Sequence, residues 1–148
     1  MASFLYRSPA LVQPRSEAEA RIWFQAQHNN EADGITGHLR RDCDWFAQYV
    51  EGPPNALGRL LVRLRRDERH GPMQILLMDN ADRPRRYPDW SMSFDADAGC
   101  STSTIPDESN DALMQRLAAA AAERRADKTW KHPRRAGGHA LPREAMIA

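Results

Sequence analysis

Four side chains, Tyr6, Asn29, Asn30 and Gln48, are polar groups set where the pattern calls for burial, and hydrogen bonding is the chemistry they can do. Gln48 stands in the run Asp44-Trp45-Phe46-Ala47-Gln48-Tyr49-Val50-Glu51. As a strand, this run puts Phe46, Gln48 and Val50 on one face and Trp45, Ala47 and Tyr49 on the other. Both faces read as buried. An amide aimed into such a face needs a partner, which can be protein, water or a bound polar heterocycle, because an unpaired buried amide is costly. An amide also carries a donor at one end and an acceptor at the other, so reorienting it redraws the hydrogen bonds around it.

The elements that must position these residues alternate regularly. Residues 3 to 8 form a short strand with Phe4, Tyr6 and Ser8 on one face, and Pro9 prevents its continuation. Ser16-Glu17-Ala18-Glu19 is a capping box that starts a helix running to about Asn29, with Ala18, Ile22 and Ala26 as its inward stripe and Asn29 and Asn30 prolonging it. Residues 35–41 and 45–51 read as a hairpin turning at Asp42. A second helix runs from Pro54 to near Asp67 on Leu57, Leu60, Leu61 and Leu64. The apolar run 73–78 suits a central strand covered on both faces. Trp90, Met92 and Phe94 alternate with serines as a last strand.

The order βαββαββ, with right-handed crossovers, predicts an α+β ferredoxin-like sandwich with two helices on one sheet face. A third helix, from Asp107 to about Asp127, is the expected cap on the other face. The expected organisation is the sandwich domain over 1–95, a cap region over 96–130 and a flexible tail over 131–148, where Pro, Gly, Arg and His mix without period. On this frame Tyr6 and Gln48 face the helices and can converge with Asn29 and Asn30 on one pocket. Ala26 leaves room there for a flat heterocycle with a polar edge, a description that a flavin fits. The alternative is that the four polar groups satisfy one another.

Composition narrows the class. The chain has 148 residues and a net charge of +1, enough for one domain with its own core and without an overall field for nucleic acid. Cys43 and Cys100 form no metal or redox motif and read as free thiols of a reducing compartment. No apolar run is long enough to cross a membrane, so the expected location is the cytoplasm.

The chain resembles the BLUF domains, blue-light sensors that use FAD. The resemblance is carried by Tyr6-Arg7-Ser8, Asn29-Asn30 with Gly34-Ile35-Thr36-Gly37, Phe46 to Pro53, Asp67-Glu68-Arg69-His70 and Tyr87-Pro88-Asp89-Trp90-Ser91-Met92, in order over residues 3 to 94. It implies FAD as cofactor, Tyr6 as electron and proton donor to the excited flavin, and Gln48 as the amide between that phenol and the ring. Light-driven proton-coupled electron transfer from Tyr6 and rearrangement of Gln48 would then alter the flavin's hydrogen bonding. By the same resemblance Asn30 bonds the pyrimidine edge, Asn29 lines the pocket, Arg69 lies near the ring with His70 adjacent, and Ile22 forms an aliphatic wall. Trp90 and Met92 match the pair proposed to pass the signal outward, and no metal is implied.

Some residues depart from the family pattern or stand apart from it. His38, Arg40, Arg41 and Ala47 replace the more usual types. Trp23 and Phe24, adjacent on a helix, cannot both point inward, so one is a candidate contact surface. Arg59, Arg63 and Arg66 form a stripe that reads as a solvated face or as a phosphate contact. No Ser/His/Asp set, carboxylate pair or nucleotide-binding glycine motif is evident, and no enzymatic activity is expected. The expected output is light-dependent binding of a downstream protein, with homo-oligomer formation and neither nucleic acid nor membrane as partner. Two rival classes share the frame. A single-stranded RNA-binding module would stack bases on Trp45 and Tyr49, and an acyl-phosphate hydrolase would need a glycine-rich anion loop that Ser8 to Arg15 lacks.

Overall fold

The computed structural model describes residues 1–89, 92–97 and 102–127. Five strands, β1 (Ala2–Pro9), β2 (Thr36–Asp42), β3 (Trp45–Gly52), β4 (Gln74–Asp79) and β5 (Ser93–Asp97), alternate with helices α1 (Glu17–Ala32), α2 (Pro54–Arg66) and α3 (Asn110–Ala126). The sheet order is β4-β1-β3-β2-β5. The crossover through α1 leaves a slot between β1 and β2 that β3 fills, and the crossover through α2 passes over β1, the topology of the expected ferredoxin-like sandwich. The first four strands pair antiparallel, and β5 runs parallel to β2.

Local chemistry sets the element ends. The Ser16 side chain accepts from the Glu19 amide at 3.1 Å and starts α1. Pro54 occupies the first turn of α2, where a missing N–H costs nothing. Ser109 caps α3 through the Ala112 amide. Gly37 permits the close approach of β2 to β3, since a Cβ there would lie 2.0 Å from the Tyr49 carbonyl oxygen.

The sheet has a core on each face. Phe4, Tyr6, Leu39, Phe46 and Val50 pack with Ala56, Leu57 and Leu60 under the helix pair. Leu5, Ala47 and Tyr49 pack with Tyr87, Ile105 and the α3 residues Leu113, Leu117 and Ala121 under the cap. The period-2 division of β3 is therefore observed, and α3 covers the second face as expected.

Four expectations change. The run expected as a central strand, β4, is an edge: it pairs with β1 alone among the described strands, and Leu77 and Met78 are 40% and 64% exposed. Ala18 is exposed on α1, whose buried residues are Glu19, Gln25, Gln27 and Asn30. The last strand begins at Ser93, so Met92 precedes it, while Trp90 lies outside the described residues. Cys43, in the β2–β3 turn with φ of 54°, is disulfide-bonded and not a free thiol. Cys100 and the tail over 131–148 fall outside the described residues.

Candidate functional site

A cleft opens between α1 and α2 over the helix-facing side of β1 and β3. Its lining includes Tyr6, Gln48, Asn29, Asn30, Ile22, Arg69 and His70, seven of the nine residues singled out in the sequence. Met92 lies next to it through Gln48. The ninth, Trp90, is not described. The cleft floor follows from register: Tyr6 stands opposite Gln48 in the β1–β3 ladder, so strand alternation aims both side chains at the helices. Ile22, Ala26, Leu39, Phe46, Leu60 and Leu64 supply its apolar walls.

The phenol and the amide are joined. Tyr6 Oη donates to Gln48 Oε1 at 2.6 Å, and Gln48 Nε2 donates to Met92 Sδ at 3.4 Å. The Gln48 amide therefore has one defined orientation, with oxygen toward the phenol and nitrogen toward the thioether. Burial pushes the Tyr6 phenol well above its ordinary value, and the Asp67 charge acts in the same sense, so Tyr6 is neutral throughout the physiological range.

Arg69 is held rather than free to move. Its guanidinium makes a fork to both oxygens of Asp67 at 2.9 and 2.7 Å and donates to Gln25 Oε1 at 2.8 Å. Burial acts to raise the Asp67 carboxyl, but the Arg69 hydrogen bonds and charge, with His70 adding to them, outweigh it and hold the group below the ordinary carboxylate value. Gln25 escaped the sequence reading, and Asp67 entered it only as part of the Asp67-Glu68-Arg69-His70 motif. The density of amides over residues 25 to 30, on a helix with few large apolar residues, was the available signal.

Three residues lining the cleft, Asn30, His70 and Arg63, carry buried polar atoms without a hydrogen bond, those of Arg63 being Nε and Nη2. Asn30 is fully buried, yet both its Nδ2 and its Oδ1 lack a hydrogen-bond partner. His70 Nε2 is also buried without one, and its ring lies 6.1 Å from that of Tyr6. A donor and an acceptor side by side on one amide, above apolar walls, suit a flat heterocycle with adjacent carbonyl and N–H groups along its edge. The residues present thus fit a flavin ring.

Other candidates find structural partners. Arg41 is buried against Glu19 at 2.6 Å and also donates to the carbonyls of Val12 and Cys43. Arg59 and Arg63 both approach Asp33, at 3.4 and 3.5 Å. His38 is buried and stacks with Tyr87 under the cap. Tyr49 is buried there and Trp45 packs against the same cluster, so the face that base stacking would use is covered. Among the described residues no group of His, Cys, Asp and Glu is arranged to hold a metal, and no helix is long and apolar enough to cross a membrane.

Comparison with known proteins agrees with this geometry. Residues 1–93 match the family profile described as BLUF, sensors of blue-light using FAD. BlrB, a BLUF protein solved in its dark state, is similar with a TM-score of 0.70 and 25% identity over 82% of this chain and 95% of that one. A bacterial light-regulated adenylyl cyclase has a TM-score of 0.63 at 23% identity over 86% of this chain, and Klebsiella pneumoniae BlrP1 with FMN and cyclic diGMP has 0.59 at 23% over 85%. This chain spans only 36% and 34% of those two proteins. No curated protein sequence matches it. With the family profile covering β1 through the start of β5, the chain belongs to the BLUF family of blue-light sensors.

Proposed function

We propose that this protein is a blue-light photoreceptor that binds FAD in the α1–α2 cleft, uses Tyr6 and Gln48 as its switch, and signals to a partner protein. The observation that carries the reading is the 2.6 Å bond from Tyr6 Oη to Gln48 Oε1 in a cleft where both polar atoms of Asn30 are unpartnered. Asn30 and Asn29 would hold the polar edge of the ring, with His70 and Arg69 beside it and Ile22 as a wall. When bound, the flavin supplies blue-light absorption and an excited state that accepts an electron.

The residues of the chain do the rest. Tyr6 holds its proton at Oη, directed at Gln48 Oε1. Because burial and Asp67 oppose the phenolate, the phenol does not lose a proton alone, and loss of an electron must accompany it. The Tyr6 proton would pass along this bond to Gln48 Oε1, which removes the donor that orients the amide and lets it tautomerise or turn to present its other end to the cleft. Met92, which receives Gln48 Nε2, then loses its donor, and the change reaches the β5 side of the sheet. The other sheet face carries α3, and we infer that the cap and the Met92 segment form the output surface for a downstream protein. Homo-oligomer formation and a cytoplasmic location belong to the same proposal.

The test is an absorption spectrum of the purified protein in the dark, just after blue light and during recovery. Flavin bands that shift slightly to the red and return support the reading. A protein that takes up no added FAD, or whose bound flavin never shifts, overturns it.

A further inference from the structure

The four side chains that α1 buries, Glu19, Gln25, Gln27 and Asn30, are all polar. Glu19 holds Arg41, Gln25 holds Arg69, and Asn30 faces the cleft. Gln27 reaches the other way. Its Nε2 donates to the main-chain oxygen of Met92 at 2.9 Å, across 65 positions of sequence, and the side chain is only 4% exposed. A buried amide in this position contributes little by apolar burial and acts by specifying where its partner sits.

That partner touches the switch. Met92 is fully buried just before β5, whose ladder with β2 begins at Ser93 opposite His38. Its thioether receives Gln48 Nε2 at 3.4 Å. A thioether accepts hydrogen bonds and does not donate them, so a Met92 held in place favours the amide nitrogen at its end of Gln48. The reversed amide would set Oε1 against Sδ, an arrangement with no hydrogen bond. The main-chain anchor therefore acts on the orientation of Gln48 from a distance.

We propose that Gln27 is a positioning residue for the photochemical switch: by holding the Met92 main chain it keeps Sδ at the nitrogen end of Gln48 and speeds return to the dark arrangement. This rests on the flavin-switch reading above. Because the anchor stabilises the dark arrangement and the path back to it, its loss slows recovery.

The experiment follows dark recovery of the light-induced absorption shift in the flavin-loaded full chain. It compares the wild type, Gln27→Leu, Gln27→Glu, Met92→Leu and the double variant Gln27→Leu/Met92→Leu. Gln27→Leu is expected to keep the shift and to recover about five- to tenfold more slowly, the scale of one buried hydrogen bond. The infrared band of the Gln48 amide carbonyl should broaden in the dark, a signature that a merely structural loss would not produce. In the Met92→Leu background the same substitution should change recovery by less than about twofold, since the acceptor through which it acts is gone. Gln27→Glu keeps the length of the side chain but puts an acceptor against the carbonyl, and should also slow recovery if Gln27→Leu does not fold. Wild-type recovery in the variants that fold overturns the proposal, and so does an equal slowing in the Met92→Leu background. A wild type with bound flavin and no shift instead sinks the switch reading itself, and the two failures are told apart by that control.

Discussion

The main-chain oxygen of Leu76 accepts a hydrogen bond from Asn110 Nδ2, the first residue of α3, at 3.2 Å. Leu76 is available because the β1–β4 register shifts there: Leu5 pairs with Leu77 and Tyr6 with Ile75, leaving Leu76 without an opposite residue. The irregularity beside Tyr6 thus becomes an attachment point for the cap. Arg7 completes the attachment by donating to the carbonyls of Ile105 and Glu108 at 3.0 and 3.1 Å.

Breaking this attachment should loosen α3 before it harms the cleft. Arg7→Ala is expected to raise hydrogen exchange in α3 and to lower stability by about 1–3 kcal/mol, the range for hydrogen bonds to a charged donor, while flavin affinity stays within about twofold of wild type. Exchange measured on the flavin-loaded protein, with a parallel flavin titration, checks both.

Asn30 separates binding from folding. Its two polar atoms are buried without partners, so Asn30→Leu should leave the stability of the flavin-free protein equal or higher. Flavin affinity should fall roughly tenfold or more, the scale of one or two lost hydrogen bonds. Thermal melts of the flavin-free protein beside a fluorescence titration would sink this if both quantities fell together.

The Arg41–Glu19 pair is buried at both ends, and removing one end should cost more than removing both. Glu19→Ala leaves the guanidinium without its carboxylate and is expected to destabilise by about 3–5 kcal/mol. The double change Glu19→Leu/Arg41→Met should cost less than either single change, which denaturant unfolding can measure.

Asp67 has a lowered value in the folded state, so its contribution to stability is complete above the ordinary carboxylate value of 3.8 and is lost as pH falls through the lowered one. Acid titration of stability should show that loss in the wild type and a flatter profile in Asp67→Asn. Arg69, held by Asp67 on two oxygens, should become mobile over the same window. An unchanged profile in Asp67→Asn would count against the assignment.

Much of this site was readable before any coordinates. The alternation in β3 grouped Gln48 with Phe46 and Val50 on one face, Pro9 ended β1, and the amphipathic pattern of leucines placed α2, because these signals are local and repeat with the period of the element that carries them. The partners of the polar residues were less readable. Gln25 and Gln27 sit on a helix whose apolar stripe is weak, and nothing near them in sequence announces Arg69 or Met92, their partners 44 and 65 positions away. Likewise the apolar run of β4 suggested burial on both faces, but a strand's place in a sheet is set by which neighbours the crossovers leave for it.

The sequence by itself determined the order of elements, the division of the β1 and β3 residues between the two sheet faces and the identity of the four polar groups, since each depends on period, capping and residue type. The tertiary structure alone decided that β4 is an edge, that Cys43 is in a disulfide, that Gln27 holds Met92 and that Gln48 has its oxygen toward Tyr6. These depend on contacts between distant segments, whose geometry no local pattern encodes.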